Sequence, residues 1–143
     1  MNSSQVAQYP HDFLFCLEEA NLSKDAGLGM KAVDLYRTVI SEAQHPGYFA
    51  SAHVELAYFG LGASLEGQHL YQESVDAFRL GAFQPTTSPE LKRRCLLAAG
   101  EVYDLMNQHD RARQQYQEVI DAGGNTSQAD LARKYMKSAY TGR

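Results

Sequence analysis

Apolar residues recur at intervals of three and four positions along almost the whole chain, and the alternation of apolar and polar residues typical of strands is missing. This pattern predicts an all-α protein of about seven helices. The predicted helices cover residues 11–21, 29–43, 48–66, 70–83, 89–106, 110–122 and 127–139. All four prolines fall where a predicted helix starts or stops, because proline breaks a helix interior. Ser127 is the expected N-cap of the last helix, with Asp130 three residues later.

Two segments of the chain repeat one another at fixed offsets. The middle copy consists of Tyr58, Leu61, Gly62, Leu65, Tyr71, Ser74, Phe78 and Gly81. The later copy places, at the same spacing, Leu96, Ala99, Gly100, Tyr103, His109, Ala112, Tyr116 and Val119. A weaker copy of the second half precedes them at Ala32, Tyr36 and Val39. Repetition over this length predicts stacked helix pairs, each of which buries its apolar face against the next.

These residues resemble the motif of the tetratricopeptide repeat (TPR) family, which has a Leu-Gly pair in the first helix of each hairpin and a small–aromatic–small series in the second. The pairs here are Leu61-Gly62 and Ala99-Gly100. The resemblance implies a right-handed superhelical solenoid of antiparallel helix hairpins. The hairpins would cover residues 11–45, 47–84 and 88–122, preceded by a flexible N-terminus over residues 1–10 and followed by a capping helix over 127–139.

The copies lie farther apart than is usual for this family. The small residues Ala32, Ser74 and Ala112 are separated by 42 and 38 positions, against about 34 in the family. We therefore expect the third and fifth helices to be extended at their N-termini, by roughly two turns and one turn respectively.

Gly62 and Gly100 are expected to lie at helix crossings. Without a Cβ, each glycine lets the partner helix of its hairpin approach, and Phe78 and Tyr116 would fill the space between successive hairpins. On this assignment leucine at either glycine should overpack the crossing, whereas alanine should be nearly neutral.

Composition and charge narrow the range of functions. Apolar residues make up 44% of the chain, enough for a folded core. The net charge of −4 disfavours a nucleic-acid partner. No aromatic residues interleave with the basic cluster formed by Lys92, Arg93, Arg94, Arg111 and Arg113. The charge is uneven, because residues 1–72 hold three basic and eight acidic side chains whereas residues 73–143 hold ten and nine.

The chain also lacks the sequence features of a membrane or secreted protein. Nothing approaches the roughly 20 consecutive apolar residues of a membrane span, and residues 1–10 lack the basic start and apolar run of a secretory signal. Cys16 and Cys95 lie among apolar neighbours, so we expect two buried, reduced thiols. These features predict a cytoplasmic protein with no membrane partner.

The titratable residues show no catalytic pattern. None of the five histidines has the spacing of a metal ligand set. His53 and Glu55 are two residues apart, and on a helix this spacing points side chains in different directions. A hydrolase would need a nucleophile beside a base, and the sequence offers no evident pair. We therefore expect no catalytic activity, no metal and no cofactor.

In TPR proteins the first helix of every hairpin lines a concave groove that binds a protein segment. The resemblance therefore implies a groove lined by Leu17, Asn21, Leu56, Phe59, Ala63, Glu66, Arg94, Leu97, Glu101 and Asp104. The clamp with which some family members hold a C-terminal carboxylate is not carried over, because only Asn21 and Arg94 match its positions.

The predicted groove is an apolar strip with Glu66, Glu101 and Asp104 at one end. Such a strip would suit an apolar peptide or helix with a basic flank. Alternatively, the acids are solvated and pair with Arg94 or Lys92.

The predicted function is that of a non-catalytic protein–protein interaction scaffold that binds a peptide or helix in the concave groove. The alternative is a self-association domain of a larger assembly. In that case apolar surface at Tyr48, Phe49 or the first hairpin would be buried in a homodimer.

Overall fold

A computed structural model describes residues 10–44 and 53–142. Within these ranges all regular secondary structure is helical, as the sequence predicted. Seven helices follow one another there: α1 (Pro10–Asp25), α2 (Gly29–Ala43), α3 (Val54–Gly67), α4 (Tyr71–Ala82), α5 (Pro89–Leu105), α6 (His109–Ala122) and α7 (Ser127–Lys137).

The helix bounds differ from the prediction mainly around α3. This helix begins at Val54, because His53 is its N-cap, with φ −88° and ψ 72°. The prediction of one continuous helix from Tyr48 to Glu66 is therefore wrong, because His53 is not helical. Tyr48 and Phe49 lie outside the described residues. α5 has 17 residues and α3 has 14, so α5 is the longer helix by about one turn, whereas the prediction gave α3 the longer extension.

Three-residue turns of the same conformation connect α1 to α2, α3 to α4, and α5 to α6. The middle residue of each turn has a left-handed backbone: φ is 79° at Gly27, 60° at His69 and 59° at Asn107. In each turn the middle N–H donates to the carbonyl three residues before it, and the third N–H to the carbonyl five residues before it, at 2.9–3.1 Å. This pattern satisfies the last carbonyls of the preceding helix. The three helix pairs are therefore repeats of one hairpin in their turns as well as in their sequences.

The helices pack in chain order. Each contacts the next, α1 also contacts α3, and α5 also contacts α7. The buried side chains form two clusters, one drawn mainly from α1, α2 and α3 and the other from α4 to α7. None of the described helices combines the length and the apolar character that crossing a membrane requires. Cys16 and Cys95 are buried, one in each cluster, and neither forms a disulfide.

The glycines of the repeat lie where helices cross, as predicted. A Cβ at Gly62 would lie 2.7 Å from ring carbons of Phe78. A Cβ at Gly100 would lie 2.8 Å from Cδ1 of Tyr116 and still closer to Cε1. The hydroxyl of Ser74 donates a hydrogen bond of 2.7 Å to the carbonyl oxygen of Gly62, which fixes the first of these crossings. Both aromatic rings are buried, so each glycine leaves room for the ring of its partner helix.

α7 packs on α5 and α6 and buries Ala129 and Ala132. Its N-cap is Thr126, whose Oγ1 accepts a hydrogen bond of 3.2 Å from the N–H of Ala129. The cap predicted at Ser127 is wrong, because Thr126 is the residue with an extended backbone and Ser127 is already helical.

Candidate functional site

Four of the ten predicted groove residues line one cleft. Phe59 comes from α3, and Arg94, Leu97 and Glu101 come from α5. The cleft has a volume of about 360 Å³, and α7 forms its other wall. The residues of α7 that line it are Ser127, Gln128, Leu131 and Tyr135. The first helix of the second hairpin, the first helix of the third hairpin and the last helix therefore meet at a single concavity.

Arg94 is the exposed cation of this cleft. Its guanidinium carbon lies 4.9 Å from the centre of the Phe59 ring, an arrangement that a cation–π attraction favours. The same ring contacts Phe78 edge to face, with centroids 5.6 Å apart, so the buried core holds it in place. No described carboxylate lies within ion-pair distance of Arg94. The alternative in which the groove acids are solvated and pair with Arg94 or Lys92 does not describe this structure either, because Glu101 and Asp104 are buried and neither cation forms an ion pair with a described carboxylate.

Asp104 is a buried hydrogen-bond acceptor. Only 4% of the residue is exposed, and its carboxylate accepts hydrogen bonds from the hydroxyl of Tyr116 at 2.6 Å and from the N–H of Tyr140 at 3.0 Å. Nδ1 of His109 lies 2.8 Å from the other carboxylate oxygen. Burial and the hydrogen bond to Asp104 raise the pKa of Tyr116 above its usual value.

The acidic end expected of the groove is therefore not a solvent-exposed surface. Glu101 is only 6% exposed, and Glu66 is half-buried. One of the hydrogen bonds to buried Asp104 comes from Tyr140, which lies beyond the end of α7. With Asp104 and Glu101 removed from solvent, the exposed charge beside Phe59 is the positive charge of Arg94 rather than a set of carboxylates.

The two candidate residues on α1 lie apart from this cleft. Leu17 is buried in the first core cluster, and the side-chain oxygen of Asn21 accepts a hydrogen bond from the hydroxyl of Tyr36. Burial, reinforced by the negative charge of Asp25, raises the pKa of Tyr36 to about 12. The structure gives Leu17 and Asn21 a packing role. Ala63 is half-buried and packs against the second cluster.

Leu56 lines a second cleft, of about 390 Å³, which shares Arg94 with the first. This cleft also contains His53 and Glu55, whose Nδ1 and Oε1 atoms are 2.8 Å apart. The expectation that these side chains diverge is wrong, because His53 precedes the helix and its N-cap backbone lets the ring turn back. The hydroxyl of Thr86 donates to Glu55 at 2.5 Å, and the hydroxyl of Ser88 accepts from the N–H of Leu91 at 3.1 Å.

These contacts do not resemble an activated nucleophile. In such a pair the hydroxyl would donate to the imidazole, whereas Thr86 donates to the carboxylate and Ser88 caps α5. Among the residues that the structure describes, no group of three or more histidine, cysteine, aspartate or glutamate side chains could hold a metal ion. The His53–Glu55–Thr86 contacts instead fasten the loop between α4 and α5 to the start of α3.

The sequence did not place α7 in the site. The helix was expected to cap the core, and Tyr135 does pack against the second core cluster. Leu131 is exposed, and both side chains also line the cleft. Their spacing of four positions puts them on one side of a helix. The sequence pattern does not show that α7 packs on α5. This packing brings the side of α7 that carries Leu131 and Tyr135 to the same cleft as Leu97.

Comparison of the chain with protein-family models, with curated proteins and with solved structures yields no match.

Proposed function

We propose that this protein is a non-catalytic protein–protein interaction scaffold of the TPR type, whose hairpins continue into a right-handed superhelical solenoid. Two observations support the proposal. The three hairpin turns share one hydrogen-bond pattern, and the second and third hairpins share the close contact between a glycine and a buried aromatic ring. Cys16 and Cys95, buried and outside any disulfide, support a cytoplasmic setting.

The cleft at Phe59, Arg94 and Leu97 is the proposed binding site for a peptide or helix. The observation that carries this proposal is the meeting of α3, α5 and α7 around half-buried Phe59 and Tyr135 and exposed Leu131, with one cation that forms no ion pair with a described carboxylate. Rigid helices present these side chains, so little ordering would be needed on binding. We infer that the bound segment places an apolar side chain near Phe59 and Leu131 and an acidic group near Arg94.

This ligand differs from the one predicted from sequence. A basic flank was expected because Glu101 and Asp104 were taken as exposed, and both are buried. Replacing Glu101 and Asp104 by lysine would place two charges in the core, so such variants would not report on binding.

Capture of partners by the wild-type protein and by two cleft variants tests the proposal. Phe59→Ala removes the apolar anchor and should weaken binding about tenfold or more at every salt concentration. Arg94→Glu should weaken binding roughly tenfold in dilute buffer and less in concentrated salt, because exposed charges are screened. Partners identified by mass spectrometry would be measured again by calorimetry with each variant.

A matched control is Phe83→Ala, which removes another phenylalanine that lies against a cation but lines a different cleft. It should leave capture unchanged at protein concentrations where the chain is monomeric. Circular dichroism would establish that all three variants remain helical. A partner that binds equally well to the wild type, to Phe59→Ala and to Arg94→Glu would show that this cleft is not the site.

Self-association remains the second candidate, and one observation favours it. Four large apolar residues are exposed on the first hairpin and its turn, namely Phe15, Leu22, Leu28 and Met30. Exposed apolar side chains grouped in this way mark contact surfaces in many soluble proteins.

A further inference from the structure

The three hairpins can be aligned residue by residue through their turns. The left-handed turn residues Gly27, His69 and Asn107 are separated by 42 and 38 positions. These are the same offsets that relate the repeated motifs in the sequence. Each position of α1 therefore has an equivalent 42 residues later in α3, and another 38 residues after that in α5.

The alignment identifies one side of each first helix as the side that packs on the preceding hairpin. In α3, a Cβ at Gly60 would overlap the ring of Tyr36 from α2. In α5, the sulfur of Cys95 lies against α4, because a Cβ at Gly81 would be 3.4 Å from it. A helix of the preceding hairpin therefore covers this side in both cases.

The same side of α1 is exposed. It contains Phe15, Glu18 and Leu22, with exposed fractions of 57% for Phe15 and 61% for Leu22. The equivalent residues of the other two hairpins are all buried, namely Ala57, Gly60, Ser64, Cys95, Ala98 and Val102. No described helix covers this side of α1, although the two later hairpins each receive a helix there.

This side of α1 is also bulkier and more acidic than its equivalents. Glu19 is four positions after Phe15 and Asp25 is three after Leu22, so both extend the same side. Glu18, Glu19 and Asp25 are exposed, and none of them forms an ion pair with a described residue. We call the surface formed by Phe15, Glu18, Glu19, Leu22 and Asp25 the outer side of α1.

The size and charge of these residues define the helix that would fit. Phe15 and Glu18 stand where the later hairpins have small residues, so a docked helix would lie farther from α1 than α2 lies from α3. Long side chains would be needed to fill that space, and positive charge would be needed to match the acids. Lysine meets both needs, because its aliphatic stem can cover apolar surface while its ammonium group reaches a carboxylate.

α7 has the complementary charge. It is the one described helix in which basic residues outnumber acidic residues, by three to one, whereas α1 has the largest excess of acids, four against one. The single acid of α7, Asp130, lies 3.3 Å from Arg133. Lys134 and Lys137 are exposed in the last turn, and neither forms an ion pair with a described carboxylate.

The acids of α6 do not cancel these two lysines. Two of the three already form ion pairs, Asp110 with Arg113 and Glu118 with Arg79. The third, Asp121, lies at the end of α6 that leads into α7. Lys134 and Lys137 are about 10 and 15 Å along α7 from its start, and exposed charges are screened over about 10 Å at 0.1 M salt.

The acids of α5 do not cancel them either. Glu101 and Asp104 are buried. Glu90 belongs to the first turn of α5, and Arg93 in the next turn donates a hydrogen bond of 3.3 Å to Gln128 at the start of α7. Glu90 is therefore near the beginning of α7, and the lysines are at its end.

We propose that the outer side of α1 in one molecule receives α7 of a second copy. The two lysines of the last turn would lay their stems over Phe15 and Leu22. Their ammonium groups would approach Glu18 and Glu19. A two-fold contact through α1 alone would oppose acids to acids, and one through α7 alone would oppose lysines to lysines. The contact therefore joins two different surfaces, and copies associate head to tail.

This contact does not depend on the function proposed for the cleft at Phe59, because neither lysine lines that cleft. It gives the self-association candidate a definite pair of surfaces. Failure of the contact would leave the cleft proposal standing, and failure of the cleft variants would leave the contact standing.

Sedimentation velocity with charge-reversed variants tests the proposal. The α1 variant carries Glu18→Lys and Glu19→Lys, and the α7 variant carries Lys134→Glu and Lys137→Glu. We expect the wild type to form species larger than a dimer as its concentration rises, and each variant alone to remain monomeric. A chain that carries all four changes should associate again, because the two surfaces are then complementary with their signs exchanged.

Salt and an apolar change separate the two parts of the contact. Raising the salt concentration from about 0.05 to 0.5 M should weaken association of the wild type roughly tenfold. Leu22→Ser should weaken association at both salt concentrations, because it removes apolar contact rather than charge.

The control for a single reversal is Arg94→Glu, which changes the charge at an exposed position in the cleft at Phe59. It should associate like the wild type, whereas Lys137→Glu should associate more weakly. Circular dichroism would verify folding. If a reversed pair loses helicity, replacement of the same two residues by glutamine should weaken association without opposing like charges.

Three results would overturn the proposal. One is a wild-type protein that stays monomeric at every concentration in dilute salt. Another is association that the α1 variant abolishes and the α7 variant leaves intact, which would indicate another occupant on α1. The third is a folded chain with all four changes that does not associate.

Discussion

In the α3/α4 hairpin the aromatic ring packed on the helix crossing belongs to Phe78, whereas in the α5/α6 hairpin it belongs to Tyr116. The steric arrangement is the same, because Gly62 and Gly100 each leave the space that their ring occupies. The polar surroundings differ. The hydroxyl of Tyr116 donates to buried Asp104, and Phe78 has no hydroxyl with which to form such a bond.

The added hydroxyl belongs to a larger network. Asp104 also accepts the N–H of Tyr140, and the Tyr140 ring lies 5.2 Å from that of Tyr135, which lines the cleft. The position equivalent to Asp104 in the other hairpin is Glu66, since both supply the carbonyl that the left-handed turn residue binds. Glu66 is half-buried. The second hairpin therefore has the hydrogen bond from Ser74 to Gly62 at its crossing, whereas in the third hairpin the buried carboxylate of Asp104 ties Tyr140, beyond α7, to the hairpin.

The largest expected effect comes from removing that carboxylate. Asp104→Ala should lower the free energy of unfolding by about 3–5 kcal/mol, because a phenol and a backbone N–H would remain buried without their acceptor. Glu66→Ala, at the equivalent place, should cost about 1 kcal/mol or less. Urea unfolding followed by circular dichroism measures both values.

A double-mutant cycle provides the control for this comparison. Tyr116→Phe combined with Asp104→Ala should cost less than the sum of the two single changes, with a coupling of about 1.5–3 kcal/mol. Equal losses for Asp104→Ala and Glu66→Ala would show that the buried network does not distinguish the hairpins.

The glycine crossings should respond next most strongly. We expect Gly100→Ala and Gly62→Ala to destabilise the protein by about 1–3 kcal/mol each, because a methyl group would overlap a buried ring. The loss should be greater at Gly100, since Tyr116 is held by its ring and by its hydroxyl whereas Phe78 is held by its ring alone. The sequence-based expectation that alanine is nearly neutral does not fit this geometry.

Gly67→Ala is the matched control, because a Cβ there would meet nothing within 4 Å. It should be neutral or stabilising by up to about 1 kcal/mol, the helix propensity gained. Melting temperatures of the three variants would rank the positions. If alanine at Gly100 or Gly62 melts like alanine at Gly67, the crossings are looser than the structure shows.

The parts of the fold that depend on neighbours in the sequence were predictable. Helical periodicity gave α2 its bounds, and the matched offsets located the crossings at Gly62 and Gly100. The cleft was predictable only in part. Phe59, Arg94 and Leu97 share it because each lies on the first helix of a hairpin, which the repeat revealed.

The rest of the cleft depends on contacts between residues far apart in the sequence. Periodicity placed Asp104 on the groove side of α5, but in the structure Asp104 is buried and accepts a hydrogen bond from the N–H of Tyr140, 36 residues later and beyond the last helix. The contribution of Leu131 follows from the packing of α7 on α5. His53 contacts Glu55 because α3 begins at Val54, which leaves His53 as a non-helical N-cap residue. Patterns within a single helix carry none of this information.

The smallest expected effects concern the left-handed turn residue of each hairpin, where the first differs from the other two. A Cβ at Gly27 would meet nothing within 4 Å, so the cost of Gly27→Ala is conformational, about 1 kcal/mol. Asn107→Gly should change stability by about 0.5 kcal/mol or less, because asparagine tolerates this conformation. His69→Gly should also be nearly neutral. Glycine removes the conformational strain of a side chain at positive φ, but it gives the unfolded chain more freedom. It also removes the 2.8 Å contact between His69 Nδ1 and the Tyr71 hydroxyl. Urea unfolding of the three variants, side by side, would show a loss at Gly27 alone. A loss of about 1 kcal/mol or more at Asn107 would mean that its side chain, and not only its backbone, holds the α5/α6 turn.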